Sequence, residues 1–244
     1  MNLVIDIGNT RTKVAVFENK HIQHFFVFNS INELIQNSEL KNIILQIKKI
    51  IISNVSNIEL TNYLTKIIPS VPIYYLSKKL PLFFDIDYES DTIGSDRIAA
   101  ASGVIAEFSN DTILNIDFGT CIKYNVIHQK TFCGGAISPG LKIRYKSLHH
   151  FTGKLPNLEN SIPSELPAII GKNTNDNLHS GVILGCVSEI NYFISEVSKR
   201  YSDNIKIVIT GGDANFFEKL LERKVFLRPY LILNGLNEIL EYQK

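Results

Sequence analysis

Only three cysteines occur in 244 residues, Cys121, Cys133 and Cys186, and no two of them form a C-x-x-C pair. An odd number leaves one thiol over in any disulfide scheme, which excludes a disulfide scaffold and points to a reducing compartment. All three are expected to be buried small hydrophobes. No apolar run approaches the length that spans a bilayer. Met1-Asn2 leads straight into Leu3-Val4-Ile5-Asp6, with neither the basic start nor the long apolar stretch of a signal peptide. The expectation is a soluble, cytoplasmic protein. Charge bias is missing as well: 25 Lys and Arg against 24 Asp and Glu leave a net charge of +1. Such a chain has no global field to draw nucleic acid or anionic lipid, so a small ligand or a protein partner is expected. There is no Walker A sequence and no low-complexity linker. His149-His150 lacks the spacing of a metal site, and Lys142 to Lys146 read as a solvated helix face.

What is present suffices for a sizeable core: 45% of residues are hydrophobic and 20% charged. At about 150 residues per domain the length falls between one domain and two. Leu3–Ile7 and Lys13–Phe17 read as strands around a polar turn, and His24–Phe28 as a third strand. Helices near 31–36 and 60–68 then alternate with strands at 50–55 and 73–76, the pattern of an α/β layer structure. Residues 78–93 lack periodicity and read as a loop. Along the helix expected from Asp96 to Phe108, the small residues Ala99 to Gly103 allow close packing, either within the chain or across a dimer.

At Thr112 the pattern restarts, with strands at 112–117 and 121–127 and another through Phe132. Val4-Ile5-Asp6-Ile7-Gly8 overlays Asn115-Ile116-Asp117-Phe118-Gly119 at an offset of 111 residues. Each copy ends a strand on Asp, followed by one apolar residue, Gly and soon a Thr. The glycine-rich Cys133–Gly140 segment follows, then helices near 141–149 and 177–201, a strand at 205–210, Gly211-Gly212, a short helix, and the pair Leu231–Leu233 and Leu236–Tyr242. Two halves, 1–111 and 112–244, abut without a linker.

An Asp-tipped tight turn places a carboxylate beside backbone N–H groups that can approach phosphate oxygens, with Thr10, Thr12 and Lys13 as further donors. Asp6 could there organise Mg²⁺. An ordinary Asn-containing hairpin turn has the same sequence, but the second copy at Asp117-Phe118-Gly119-Thr120 favours a nucleotide clamp. Thr210-Gly211-Gly212 would let a flat ligand lie against backbone at a helix start. In this order the three loops resemble the phosphate-1, phosphate-2 and adenosine segments of the acetate kinase, sugar kinase, Hsp70 and actin superfamily. That resemblance implies duplicated ribonuclease H-like α/β domains, the actin-like ATPase fold, with the active site in the cleft between them, and ATP use. At Gly94-Ser95-Asp96-Arg97 a carboxylate and a guanidinium sit side by side at a helix start, suited to a hydroxyl and an anionic group of one small substrate. Alone, this segment reads better as a helix N-terminus capped by Ser95 or Asp96.

With these residues the chain resembles the type III pantothenate kinases. The resemblance rests on Asp6-x-Gly-Asn-Thr-x-x-Lys13, Gly94-x-Asp96-Arg97, Asp117-x-Gly-Thr120, Gly134-Gly-x-Ile-x-Pro-Gly140-Leu, Leu155-Pro156, Gly171-x-Asn-Thr174, Ser180-Gly181-x-x-x-Gly185 and Thr210-Gly-Gly212, over almost the whole chain. It implies ATP-dependent phosphorylation of pantothenate, the entry to coenzyme A, by a homodimer. Under it, Asp6, Ile7, Gly8, Asn9, Thr10, Arg11, Thr12 and Lys13 form the first ATP-binding loop, and Thr120 also touches ATP. Asp96 becomes the base at the pantothenate hydroxyl. Tyr88, Gly94, Ser95, Arg97 and Thr174 contact that substrate, Arg97 either pairing its carboxylate or orienting Asp96. Asp117 binds the K⁺ or NH₄⁺ that the family requires. Two other readings stand beside it: a transcription accessory factor of the same family, or another phosphotransferase on this fold. The chain departs from the family's pattern after Thr120, where Cys121-Ile122-Lys123-Tyr124-Asn125 replaces small and hydroxyl residues followed by Asp. Lys123 either snorkels from its strand or adds charge near the phosphates, and Asn125 removes a carboxylate.

Overall fold

The computed structural model describes residues 1–56, 64, 68, 70–109, 111–201 and 204–243. Contacts divide the chain into two units, one of residues 1–110, 130–133 and 230–244, the other of 111–129 and 134–229. A single cut between 111 and 112 therefore does not describe the division. The last fifteen residues group with the first unit because their helix lays its apolar face there.

The first unit is built on a five-stranded sheet of β1 (Asn2–Ile7), β2 (Thr12–Glu18), β3 (His21–Phe28), β4 (Lys49–Asn54) and β5 (Ile73–Tyr75), in the order β3-β2-β1-β4-β5. β1 and β2 form an antiparallel hairpin, while β4 lies parallel to β1 and β5 parallel to β4. Every residue of β1 is buried, as expected of a central strand covered on both faces. On one face Leu3, Ile5, Val14, Val16 and Ile50 pack with Leu34, Leu40 and Ile44 of α1 (Ile31–Gln36) and α2 (Ser38–Ile44). Ser30 caps α1 by accepting from the Glu33 N–H at 3.2 Å. The second helix is not legible in the apolar spacing, because Asn37 ends α1 and caps α2 at once, through the Leu40 N–H at 2.8 Å. The helix expected at 60–68 lies outside the described residues except for the buried Leu64 and Ile68. Within the loop expected at 78–93, β6 (Asp85–Ile86) pairs in parallel with Thr131 and Phe132.

The small-residue helix is α3 (Ser95–Phe108), and its partner lies within the chain: the C-terminal helix Leu231–Tyr242. That helix is continuous through Leu233 and Leu236. The approach is close enough that a Cβ on Gly235 would come 1.9 Å from the Ala99 carbonyl oxygen, and one on Gly103 would come 2.7 Å from that of Leu231. Ser102 Oγ donates to the Gly235 carbonyl at 2.9 Å. Asn2 Nδ2 donates to Asn237 Oδ1 at 3.0 Å, so the first strand and the last helix are stitched together.

The second unit repeats the order. β7 (Ile113–Phe118), β8 (Cys121–His128), β9 (Thr131–Pro139), β10 (Lys206–Thr210) and β11 (Phe226–Leu227) run β9-β8-β7-β10-β11, with β6 added beyond β9 as a sixth strand, β7 and β8 antiparallel and β10 parallel to both β7 and β11. Two sheets of matching order and hairpin start are the mark of duplicated ribonuclease H-like units. β9 runs past Phe132, where the expected strand stops, through the glycine-rich segment. Gly135 makes this possible, since its φ of +152° and a site only 1.8 Å from the Tyr124 carbonyl oxygen leave no room for a Cβ. The long helix expected at 177–201 is α5 (Thr174–His179), a π-helical turn at Ser180–Leu184, and α6 (Gly185–Tyr201), which follows α4 (Leu141–His150) in the chain.

Lys142–Lys146 is not simply a solvated face. Tyr145 is buried, and Arg144 Nη2 meets Glu189 Oε2 at 2.6 Å. Tyr124 Oη and Ser138 Oγ also donate to Glu189, at 2.8 and 2.5 Å, joining β8, β9, α4 and α6 at one carboxylate. Of the cysteines, Cys186 alone is buried; Cys121 and Cys133 are partly exposed. Burial pushes the Cys186 thiol up to about 11.

Candidate active site

Asp6, next to last in β1 and flanked by β2 and β4, is a carboxylate only 7% exposed. Ile7 behind it is buried in the core. The turn then tightens through Gly8, whose N–H donates to the Arg11 carbonyl at 3.1 Å, and Asn9, Thr10 and Arg11 stand exposed. Thr12 is buried at the start of β2, and Lys13 lies opposite Asp6 in the antiparallel register.

The acceptor segment joins this loop through one polar step. Ser53, at the end of β4, is the register partner of Asp6 and is fully buried. Its Oγ lies 2.9 Å from Ser95 Oγ, which also accepts the Asn54 N–H at 3.1 Å. Ser95 is therefore committed to β4, and Gly94 takes the N-cap position of α3 without a side-chain bond. Asp96 Oδ1 accepts the Arg97 backbone N–H at 2.9 Å. A Cβ on Gly94 would come 2.6 Å from that same oxygen, so glycine leaves space beside the carboxylate. Asp96 and Arg97 are 7% and 4% exposed. Two rings hold the guanidinium: Cζ of Arg97 lies 5.8 Å from the Tyr88 centroid and 5.2 Å from that of Phe132. Cation–π contacts of this kind suit a buried arginine with a fixed orientation.

In the second unit Asp117 ends β7, 5% exposed. Lys123 faces it across the β7–β8 pairing, with Nζ 2.8 Å from Asp117 Oδ2. At that separation opposite charges attract by about 6 kcal/mol before desolvation, at the effective dielectric of a protein surface. Gly211, at φ +98°, brings its backbone so near that a Cβ would lie 2.6 Å from Asp117 Oδ1. Asn115 and Asn125 pair on the same face of these strands: Asn125 Nδ2 donates to Asn115 Oδ1 at 3.0 Å, and Asn115 Nδ2 donates to the Val208 carbonyl at 3.1 Å. Thr120 is exposed in the turn, its carbonyl accepting the Gly140 N–H at 3.1 Å. Burial raises the carboxyl of Asp213 above its ordinary value, with Lys142 opposing. Thr174 opens α5 and is exposed.

The structure thus brings Asp6, Lys13, Ser95, Asp96, Arg97 and Tyr88 into one unit, and Asp117, Thr120 and Thr174 into the other. Sequence reasoning missed Ser53 and Phe132. A serine closing the apolar run of β4 was the available signal for the first; nothing in the sequence marks the second. Among the described residues no group of three His, Cys, Asp or Glu could hold a metal ion, and no helix is long and apolar enough to cross a membrane.

Comparison with known proteins identifies the family of the chain. The sequence profile of the type III pantothenate kinase family matches residues 2–196. Type III pantothenate kinases from Flavobacterium psychrophilum and Bacteroides fragilis are 35% and 36% identical to the chain, the first over all of both chains, the second over 99% of this chain and 98% of its own. Among solved structures, one assigned to the Baf family of transcriptional activators from Campylobacter jejuni matches with a TM-score of 0.65 at 24% identity, covering 98% of each chain. The ROK hexokinase of Thermus thermophilus matches with a TM-score of 0.53 at 12% identity, covering 99% of this chain and 98% of its own. At those identities the structural likeness is one of fold. The profile and the full-length relatives go further: the chain belongs to the type III pantothenate kinase family.

Proposed function

We propose that the chain transfers the γ-phosphoryl group of ATP to the primary hydroxyl of pantothenate, the first step of coenzyme A synthesis. The observation that carries this reading is the buried Asp96-Arg97 pair at a helix start, tied through Ser95 and Ser53 to the Asp6 loop. Asp96 orients the hydroxyl and accepts its proton as the oxygen attacks phosphorus. Arg97, fixed by Tyr88 and Phe132, takes the pantothenate carboxylate, for which its planar fork is suited. Gly8 to Lys13 contact the phosphates of ATP, and Thr120 is a further ATP contact by the family resemblance. Thr174 contacts pantothenate.

The Asp6 carboxylate is a hard oxygen donor and fits Mg²⁺, which commonly takes one or two protein carboxylates and completes its shell with water and phosphate oxygens. Bound there it would supply charge neutralisation on the phosphates. The monovalent cation that the family resemblance implies does not fit at Asp117, where the Lys123 ammonium already stands.

The test is ADP release on adding pantothenate, with glucose and acetate as control acceptors. Stimulation by pantothenate alone is expected; none in any buffer overturns the proposal. Asp96→Asn is expected to lower kcat by about 10²–10⁴ while ATP affinity stays near that of the parent. Normal turnover by this variant removes Asp96 as the base.

A further inference from the structure

The two hairpins share more than their aspartates. Asp6 faces Lys13 across β1–β2, and Asp117 faces Lys123 across β7–β8. The strand-end carboxylate thus has a cross-strand lysine in both copies. In the second copy the side chains meet: Lys123 Nζ is 2.8 Å from Asp117 Oδ2, with 21% and 8% of the two side chains exposed. The other carboxylate oxygen faces the backbone of Gly211. Two positions along the same face of β7 and β8 stand the neutral amides of Asn115 and Asn125, bonded to each other. The Asp117 carboxylate therefore meets a tethered positive charge, and position 125 is an amide rather than a second carboxylate.

We infer that Lys123 is a built-in cation: its ammonium stands in for a mobile K⁺ or NH₄⁺ at the second phosphate loop and frees this enzyme from monovalent-cation activation. A second cation on Asp117 would be repelled by the ammonium, and displacing Lys123 would set a partly buried charge adrift. Tethering also keeps the positive charge in place whatever the salt composition, as linked groups act at a high effective concentration. A lysine bound as a compact ammonium resembles NH₄⁺ in charge and donor geometry. The inference rests on the ATP-dependent reading above.

Two measurements on the full chain decide it. Phosphorylation of pantothenate is followed in a choline-based buffer while KCl or NH₄Cl is titrated in, for the parent and for Lys123→Met. The parent rate should stay within about twofold throughout, whereas the variant should lose about 10²-fold or more without the salts and recover with NH₄⁺. Parent activation of about tenfold or more by either ion, or a variant as active as the parent in choline, overturns the inference. The second readout is calorimetric affinity for the non-hydrolysable analogue AMPPNP with Mg²⁺, which does not depend on pantothenate. Added K⁺ should leave the parent affinity unchanged and tighten that of Lys123→Met; tightening in the parent overturns the inference even if pantothenate proves not to be the acceptor. If the variant fails to fold, the two parent titrations decide alone.

Discussion

Glu189→Gln keeps the side chain's volume and one acceptor oxygen but removes the charge on which Tyr124, Ser138 and Arg144 converge. Hydrogen bonds to a charged group contribute about 1.5–3 kcal/mol each, against about 0.5–1.5 for neutral pairs. Three such replacements would sum to roughly 3–5 kcal/mol if additive. Arg144 and Glu189 keep 21% and 25% of their side-chain exposure, and water takes over part of the lost bonding. Screening at that exposure brings the expected cost to about 2–3 kcal/mol. At about 2–4 °C per kcal/mol for chains of this size, thermal unfolding followed by circular dichroism should shift down by roughly 4–12 °C. The pH dependence gives a sharper check. Burial works against ionisation of Glu189 more than any other single influence, yet the bonds from Ser138, Arg144 and Tyr124 together hold its carboxyl below the ordinary value. A carboxyl lowered on folding stabilises above the unfolded-state value, about 4.3 for glutamate, and that stabilisation fades as pH falls through the folded value. The gap between parent and variant should therefore be full at neutral pH and shrink below about pH 4. A neutral-pH loss under about 1 kcal/mol, or a gap that persists undiminished into acid, would refute the reasoning.

Phe132→Leu removes one of the two rings over Arg97 while leaving an apolar side chain; the loss of a desolvated cation–π contact, about 1–2 kcal/mol, should raise the KM for pantothenate roughly 5–30-fold with ATP affinity unchanged. An unaltered KM would show that the ring does not orient the guanidinium. Gly235→Ala drives a methyl into the Ala99 carbonyl, and overpacking at a contact that close should cost about 3 kcal/mol or more. Denaturant titration with an unshifted midpoint would mean that the two helices separate without penalty.

Much of the second sheet was legible because its hairpin repeats the first: Asp6 and Asp117 mark equivalent strand ends, and both strands run into glycine turns. Ile31–Gln36 was legible from apolar spacing, whereas the next helix vanished behind Asn37, a residue whose caps serve two helices. Only the start of β9 was legible, up to Phe132, because Gly134 and Gly135 carry no strand pattern until the Tyr124 carbonyl explains them. The site divides likewise. Asp96 and Arg97 announce themselves by adjacency, but Ser53 reaches the neighbouring Ser95 and Phe132 reaches Arg97 from elements distant in sequence, and only tertiary structure can bring such residues together. Lys123 was visible as a departure from pattern; its strand register then showed which carboxylate it meets.

The return of Leu231–Tyr242 to the first unit has a consequence for how the protein is made. Leu233, Leu236 and Leu240 are buried, and Gly235 fits against α3. Residues 1–110 leave the ribosome long before this helix does, by roughly 7–26 s at 5–20 residues per second. For that interval the small-residue face of α3 has no lid, and the first unit cannot complete its native core. The second unit has all of its own residues once position 229 is made. The half that starts the chain is thus the half that finishes folding last, so a truncation that spares both nucleotide loops but removes the final helix should leave the first unit with an exposed apolar face.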